Sequence, residues 1–176
     1  MGNTIGVDVD ERDHVCIVHR NDASQFGGNT EIGLQGGVSE CCTPAPPIIE
    51  FDPEGNVVNA WGGPVEGAPY VWPASNHGIE IAPNGDVWIG GNGGGDSHVL
   101  VFTRDGEYVR TIGVQGEGRD SNSQTHFARV AEIAIDVEAN EAYFADGYQN
   151  RRVAVVDVAT GAFKRYRCVS KTRRQH

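Results

Sequence analysis

The sequence has one methionine in 176 residues and no apolar run that approaches a membrane-spanning length. A helical span needs about 20 consecutive apolar residues, so no membrane partner is expected. The opening residues, Met1-Gly-Asn-Thr-Ile, carry neither the basic nor the apolar part of a secretory leader. They enter a strand-like pattern almost at once, as if cut from a longer chain. There is no Asn-x-Ser/Thr site. The four cysteines, Cys16, Cys41, Cys42 and Cys168, include no Cys-x-x-Cys pair, which argues against a zinc knuckle. Cys41 and Cys42 are adjacent and badly placed to bond each other. None of these features assigns a compartment.

Acidic residues are missing from the end of the chain. All 24 precede Lys164, whereas six of the 14 basic residues are Lys164, Arg165, Arg167, Lys171, Arg173 and Arg174. Eight basic against 24 acidic residues leave positions 1–163 with a charge of −16. A body of that sign disfavours a phosphate backbone, so no nucleic-acid partner is expected. The basic segment 167–176 reads as a tail, solvated or derived from truncation, with an anionic partner as the alternative.

What the chain has in abundance is glycine, 24 residues, with 8 prolines and 39% hydrophobic residues. That composition suits a turn-rich all-β protein. Three stretches repeat one pattern. They begin at Gly6-Val-Asp-Val-Asp10, Gly78-Ile-Glu-Ile-Ala82 and Glu132-Ile-Ala-Ile-Asp136. Each is an alternating strand, a polar turn and a second strand carrying Cys16, Trp88 or Tyr143. Cys16 is therefore expected to be buried and apolar in role. A second half follows each: Ile48–Gly62, Val99–Gly113 and Val153–Tyr166, with hairpins at Asp52-Pro-Glu-Gly55, Arg104-Asp-Gly106 and Ala159-Thr-Gly161. Four short antiparallel strands per unit make one blade of a β-propeller. The fold class is thus all-β, with blade 1 about 5–62, blade 2 about 77–113 and blade 3 about 131–166. Propellers have about 4–8 blades, so three blades read as half of a six-bladed ring. A truncated or frame-shifted gene is one expectation, and a homodimer of half-rings the other.

In such a blade, the loop into the first strand and the loop between the second and third strands share one rim. Arg20, His77 and Tyr148 all fall on that rim and are predicted to converge. The loops vary on a constant scaffold, which is where function usually lies. The plain alternatives are a rim salt bridge for Arg20, a hydrogen bond to a blade-edge carbonyl for His77, and packing between blades for Tyr148. Arg151 and Arg152 are expected to form blade-to-blade ion pairs. Gly90-Gly-Asn-Gly-Gly-Gly-Asp96 lacks the Gly-Lys-Ser/Thr of a phosphate loop, so nucleotide binding is not expected. Cys41-Cys42 as a soft-metal site is a remote alternative.

The units resemble NHL repeats, which pass from an Asp-Gly turn and strand to Asn-Arg-Val, as Asn150-Arg-Arg-Val153 nearly does. More specifically, the chain resembles peptidyl-α-hydroxyglycine α-amidating lyase, a six-bladed propeller that releases a peptide amide and glyoxylate. The matching segments, in order, are Val7-Asp-Val-Asp10, Ile17-Val-His-Arg20, His77-Gly-Ile79, Gln124-Thr-His-Phe127 and Ala145-Asp-Gly-Tyr-Gln-Asn150. The resemblance implies that Arg20 holds and polarises the substrate and that Tyr148 is the general base. It implies that His77 ligates zinc and that the backbone carbonyls of Val7 and Ile79 face a structural calcium. Two of the family's three zinc histidines belong to later blades, and His126 matches a position that is not a ligand. A family cysteine pair is replaced here by Ala128 and Gln149, and a proline by Val130. The chain alone is therefore expected to be incomplete and inactive as an enzyme. The alternative class is a non-catalytic propeller that binds a peptide or a protein partner.

Overall fold

The computed structural model describes residues 1–21 and 44–168. Twelve strands are found among them. Blade 1 is β1 (Asn3–Val9), β2 (Val15–Arg20), β3 (Ile48–Phe51) and β4 (Val57–Trp61). Blade 2 is β5 (Asn76–Ile81), β6 (Val87–Gly91), β7 (His98–Phe102) and β8 (Tyr108–Gly113). Blade 3 is β9 (Ile133–Asp136), β10 (Glu141–Asp146), β11 (Arg152–Asp157) and β12 (Phe163–Cys168). Each sheet is a four-stranded antiparallel meander in chain order. The all-β, three-blade reading of the sequence agrees with this architecture. β12 runs past Tyr166 to Cys168, so the first two residues of the expected tail belong to a strand. Residues 169–176 and the Cys41-Cys42 pair lie outside the described residues. No helix among the described residues is long and apolar enough to cross a membrane.

The hairpins repeat one device. Gly85 and Gly106 adopt φ of 88° and 85° and close turns by donating N–H to the carbonyls of Ala82 and Thr103. A left-handed residue after a tight turn gives the twist that antiparallel strands need. At the first hairpins of blades 1 and 3 the same place is taken by Asp13 (φ 60°) and Asn140 (φ 52°). Asp and Asn tolerate this conformation because their short side chains bond locally.

Two apolar layers lie between the three blades. Cys16, Val18 and Ile48 of blade 1 pack on Ile79, Ile89, Leu100 and Phe102 of blade 2. Trp88, Val99 and Val101 of blade 2 pack on Ile133, Ala142, Phe144 and Val156 of blade 3. Blade 2 is thus covered on both faces, and every residue of β6 and β7 is buried. Cys16 is 1% exposed, as its place in the repeat requires. Burial also raises its thiol pKa to about 11.

Polar contacts set the blade spacing. Asp8 accepts the N–H of Ile81 at 2.6 Å, and Glu80, one blade on, accepts that of Ile135 at 3.0 Å. Arg104 donates to both carboxylate oxygens of Glu50 at 2.9 and 2.7 Å and also reaches Asp10 at 3.0 Å. The innermost strands approach closely. A side chain at Gly6 would lie 2.7 Å from the His77 carbonyl.

Glu80 gives these contacts a pH dependence. Burial, reinforced by the charge of Asp8, pushes its pKa up to about 7. The folded state then holds a proton that the unfolded chain releases near pH 4.5. The stability this contributes is complete below that value and is lost as pH rises through about 7. Glu80→Gln keeps the acceptor for Ile135 and removes the charge. Its melting temperature should exceed wild type at pH 8, with the gap closing near pH 4.5. Calorimetric scans at both values check this, and an equal gap at both pH values would contradict it.

Candidate functional site

The strand ends that carry Arg20, His77 and Tyr148 meet on one rim, as the repeat predicted. Arg20 ends β2, His77 lies at the start of β5, and Tyr148 follows β10. The Tyr148 hydroxyl lies 2.8 Å from His77 Nε2, and the two rings meet edge to face at 5.4 Å. His77 Nδ1 lies 2.8 Å from the carbonyl of Ala131. A carbonyl only accepts, so Nδ1 carries a proton and donates it. In the neutral ring Nε2 then holds the free lone pair and accepts from Tyr148. The blade-edge hydrogen bond considered as an alternative for His77 thus exists and fixes the tautomer.

Arg20 is the third member. Its guanidinium donates to Asn92 Oδ1 at 3.4 Å. Burial lowers its pKa, while the interaction with Tyr148 works in the opposite direction. Asn92, 6% exposed, is a site residue that sequence reading passed over within the Gly-rich loop. That loop is braced by its own aspartate. Asp96 caps it by accepting from the backbone N–H of Ala74, Ser75 and Gly93. His19, next to Arg20, is fully buried. It donates from Nε2 to the Pro46 carbonyl at 2.8 Å and accepts the Gly2 N–H at Nδ1. It is a strut, and burial lowers its pKa.

Tyr148 is positioned by the loop between β10 and β11. Asp146 and Arg152 lie directly opposite each other in the β10–β11 ladder and pair at 2.8 Å with no side-chain exposure. Asp146 also accepts from Asn150 Nδ2 and from the Ala128 N–H. Arg152 donates to the carbonyls of Ser121, Ser123 and His126 in the incoming linker. The sequence reading placed Arg152 in a blade-to-blade ion pair. The pairing is instead within its own blade, because the hairpin register sets the two residues face to face. The Arg151 side chain is exposed, and its backbone N–H is bonded to Ser121 Oγ.

The donors do not make up a zinc site. His77 supplies one nitrogen, and that atom faces Tyr148. Among the described residues no group of three or more His, Cys, Asp or Glu side chains is arranged to hold a metal. Catalytic zinc takes about three protein ligands. His126 is engaged at both ring nitrogens, Nδ1 with Ser123 Oγ at 2.9 Å and Nε2 with the Gly118 carbonyl at 3.2 Å. Val7 and Ile79 occupy equivalent positions in the adjacent inner strands β1 and β5. Two carbonyls fall well short of the six to eight oxygens that calcium takes.

Clefts open between the loops of the described residues. An open cavity of about 510 Å³ adjoins Tyr148 and is lined by Arg119, Gly147, Gln149, Asn150 and Arg151. Two others, about 500 and 350 Å³, lie at the hairpin rim on the far side. They contain none of the three converging side chains, and Arg12 and Arg104 in the first are already paired with Asp10 and Glu50.

No family model and no curated protein matches the sequence. Solved structures do match the fold. The structure of U3-55K superposes with a TM-score of 0.60 at 15% identity, over 97% of this chain and 41% of that one. The WD40 repeats of RRP9 give 0.57 at 14% identity, over 94% and 38%. A catalytically inactive virginiamycin B lyase from Staphylococcus aureus, with quinupristin, gives 0.52 at 17% identity, over 97% and 57%. This chain therefore spans between about two fifths and three fifths of the length of these neighbours. At such identities the likeness concerns architecture alone, and the architecture is that of a β-propeller.

Proposed function

We propose that the rim formed by Arg20, His77 and Tyr148 is a lyase site of the α-hydroxyglycine-amidating type. The observation that carries the reading is the Tyr148–His77 contact of 2.8 Å, with Nδ1 tied to the Ala131 carbonyl and Nε2 facing the Tyr148 hydroxyl as acceptor. In this reading Tyr148 passes its proton to His77 and takes one from the hydroxyl of a peptidyl-α-hydroxyglycine. The freed oxygen pair forms the carbonyl of glyoxylate, the carbon–nitrogen bond breaks, and the departing amide nitrogen takes up the proton held by His77, which restores the starting state. Arg20 polarises the substrate oxygen through its positive charge. No step is assigned to zinc or calcium, because the residues described do not assemble either site.

The test is release of glyoxylate from N-acetyl-α-hydroxyglycine, measured against the spontaneous reaction. Release that scales with protein concentration supports the reading, and a rate equal to buffer overturns it. A second reading is a non-catalytic propeller that binds a peptide or protein at the same rim. It is favoured by the 53% exposure of Tyr148. Binding of unmodified peptides without glyoxylate release would select it. The fold itself does not choose, since propellers host unrelated functions.

A further inference from the structure

Four arginines of this acidic chain are ion-paired among the described residues. Arg12 and Arg104 pair with Asp10 and Glu50, Arg152 with Asp146, and Arg165 with Glu141. Arg119 and Arg151 differ. Both are exposed, neither guanidinium has a hydrogen-bond or ion-pair partner among the described residues, and both line the cavity beside Tyr148. Arg119 comes from the linker between blades 2 and 3, and Arg151 from the β10–β11 loop. Ser121 Oγ accepts the Arg151 N–H and ties the two segments together. Among the described residues, no acidic side chain lines the cavity.

Two unmatched guanidinium groups lining one cavity leave positive charge there that an anion would neutralise. A guanidinium presents paired N–H donors that fit the two oxygens of a carboxylate. We propose that the cavity walled by Arg119, Arg151, Gly147 and Gln149 is a carboxylate-binding subsite for a peptide ligand lying against Tyr148. This deepens the rim reading given above, but it concerns binding and stands or falls on binding alone. A carboxylate on such a ligand has two sources, the terminal carboxyl group and an acidic side chain.

Three acetylated tetrapeptides separate them: Ala-Ala-Tyr-Gly as free acid, the same sequence as amide, and Ala-Asp-Tyr-Gly as amide. Binding is followed by the amide signals of Gly147 and Gln149 and the Nε–H signals of Arg119 and Arg151 in nitrogen-15 spectra. The free acid, the aspartyl amide or both should shift these signals, and the neutral amide should not. Whichever of the two binds identifies the source. The paired change Arg119→Gln and Arg151→Gln should weaken that binding by about tenfold or more, as loss of charged hydrogen bonds does. Added salt should weaken it as well. Because both side chains are exposed and unpaired, the variant should melt with wild type. The proposal is overturned if all three peptides bind alike, if none binds at millimolar concentration, or if the paired variant binds the anionic peptide as wild type does. Retained anion binding with no glyoxylate release would sink the lyase reading and leave the subsite standing.

Discussion

Tyr148→Phe should lower the rate of glyoxylate release by about 10²–10⁴-fold, the range supplied by a positioned general base. The phenyl ring keeps the packing against His77, whose ring meets it at 5.4 Å, and removes only the hydroxyl. Tyr148 is exposed on a loop, so fold stability should hardly change, and melting curves separate the two effects. His77→Gln should also slow the reaction, since Gln does not accept the phenol proton as imidazole does. A Tyr148→Phe rate within twofold of wild type would remove Tyr148 from the chemistry.

Arg152→Ala should cost about 3–5 kcal/mol of stability, the range for stranding one partner of a buried ion pair. The Asp146 carboxylate would lose its cation, with no exposure through which water might replace it. The carbonyls of Ser123 and His126 would lose donors as well. The stacking of the guanidinium over Tyr166, 5.5 Å from the ring centre, would also disappear. For a domain of this size the loss corresponds to a fall in melting temperature on the order of 10 °C. Chemical denaturation checks it, and a loss under about 1 kcal/mol would mean that the pair is not buried as described. The same change should loosen residues 147–150 and so reduce any activity that depends on Tyr148.

Much of this was legible in the sequence, for a physical reason. Alternation of apolar and polar residues and the glycines of the hairpins are local signals, and they set the strands. The shared rim of Arg20, His77 and Tyr148 followed from the order of strands in a meander. Contacts made across blades were not legible in the same way. Asn92 beneath Arg20 and the Ala131 carbonyl behind His77 are brought in by packing of separate units. Asp8 and Glu80 stand at one repeat position and bridge to the next blade, a pattern visible only once the blades are stacked. Arg152 was misread because two adjacent arginines after a turn do not reveal the register. The ladder that sets Arg152 opposite Asp146 does. Arg119 gave no signal, since the lack of a side-chain partner among the described residues shows only in the folded chain.

The pairing of His77 with Tyr148 is what the whole rim depends on, and its chemistry is directly measurable. Long-range nitrogen-15 to proton correlations on the His77 ring distinguish the two neutral tautomers. The geometry predicts a proton on Nδ1, held by the Ala131 carbonyl, and a bare Nε2 whose signal moves when Tyr148 is changed to Phe. A proton on Nε2, or a ring signal indifferent to Tyr148→Phe, would contradict it.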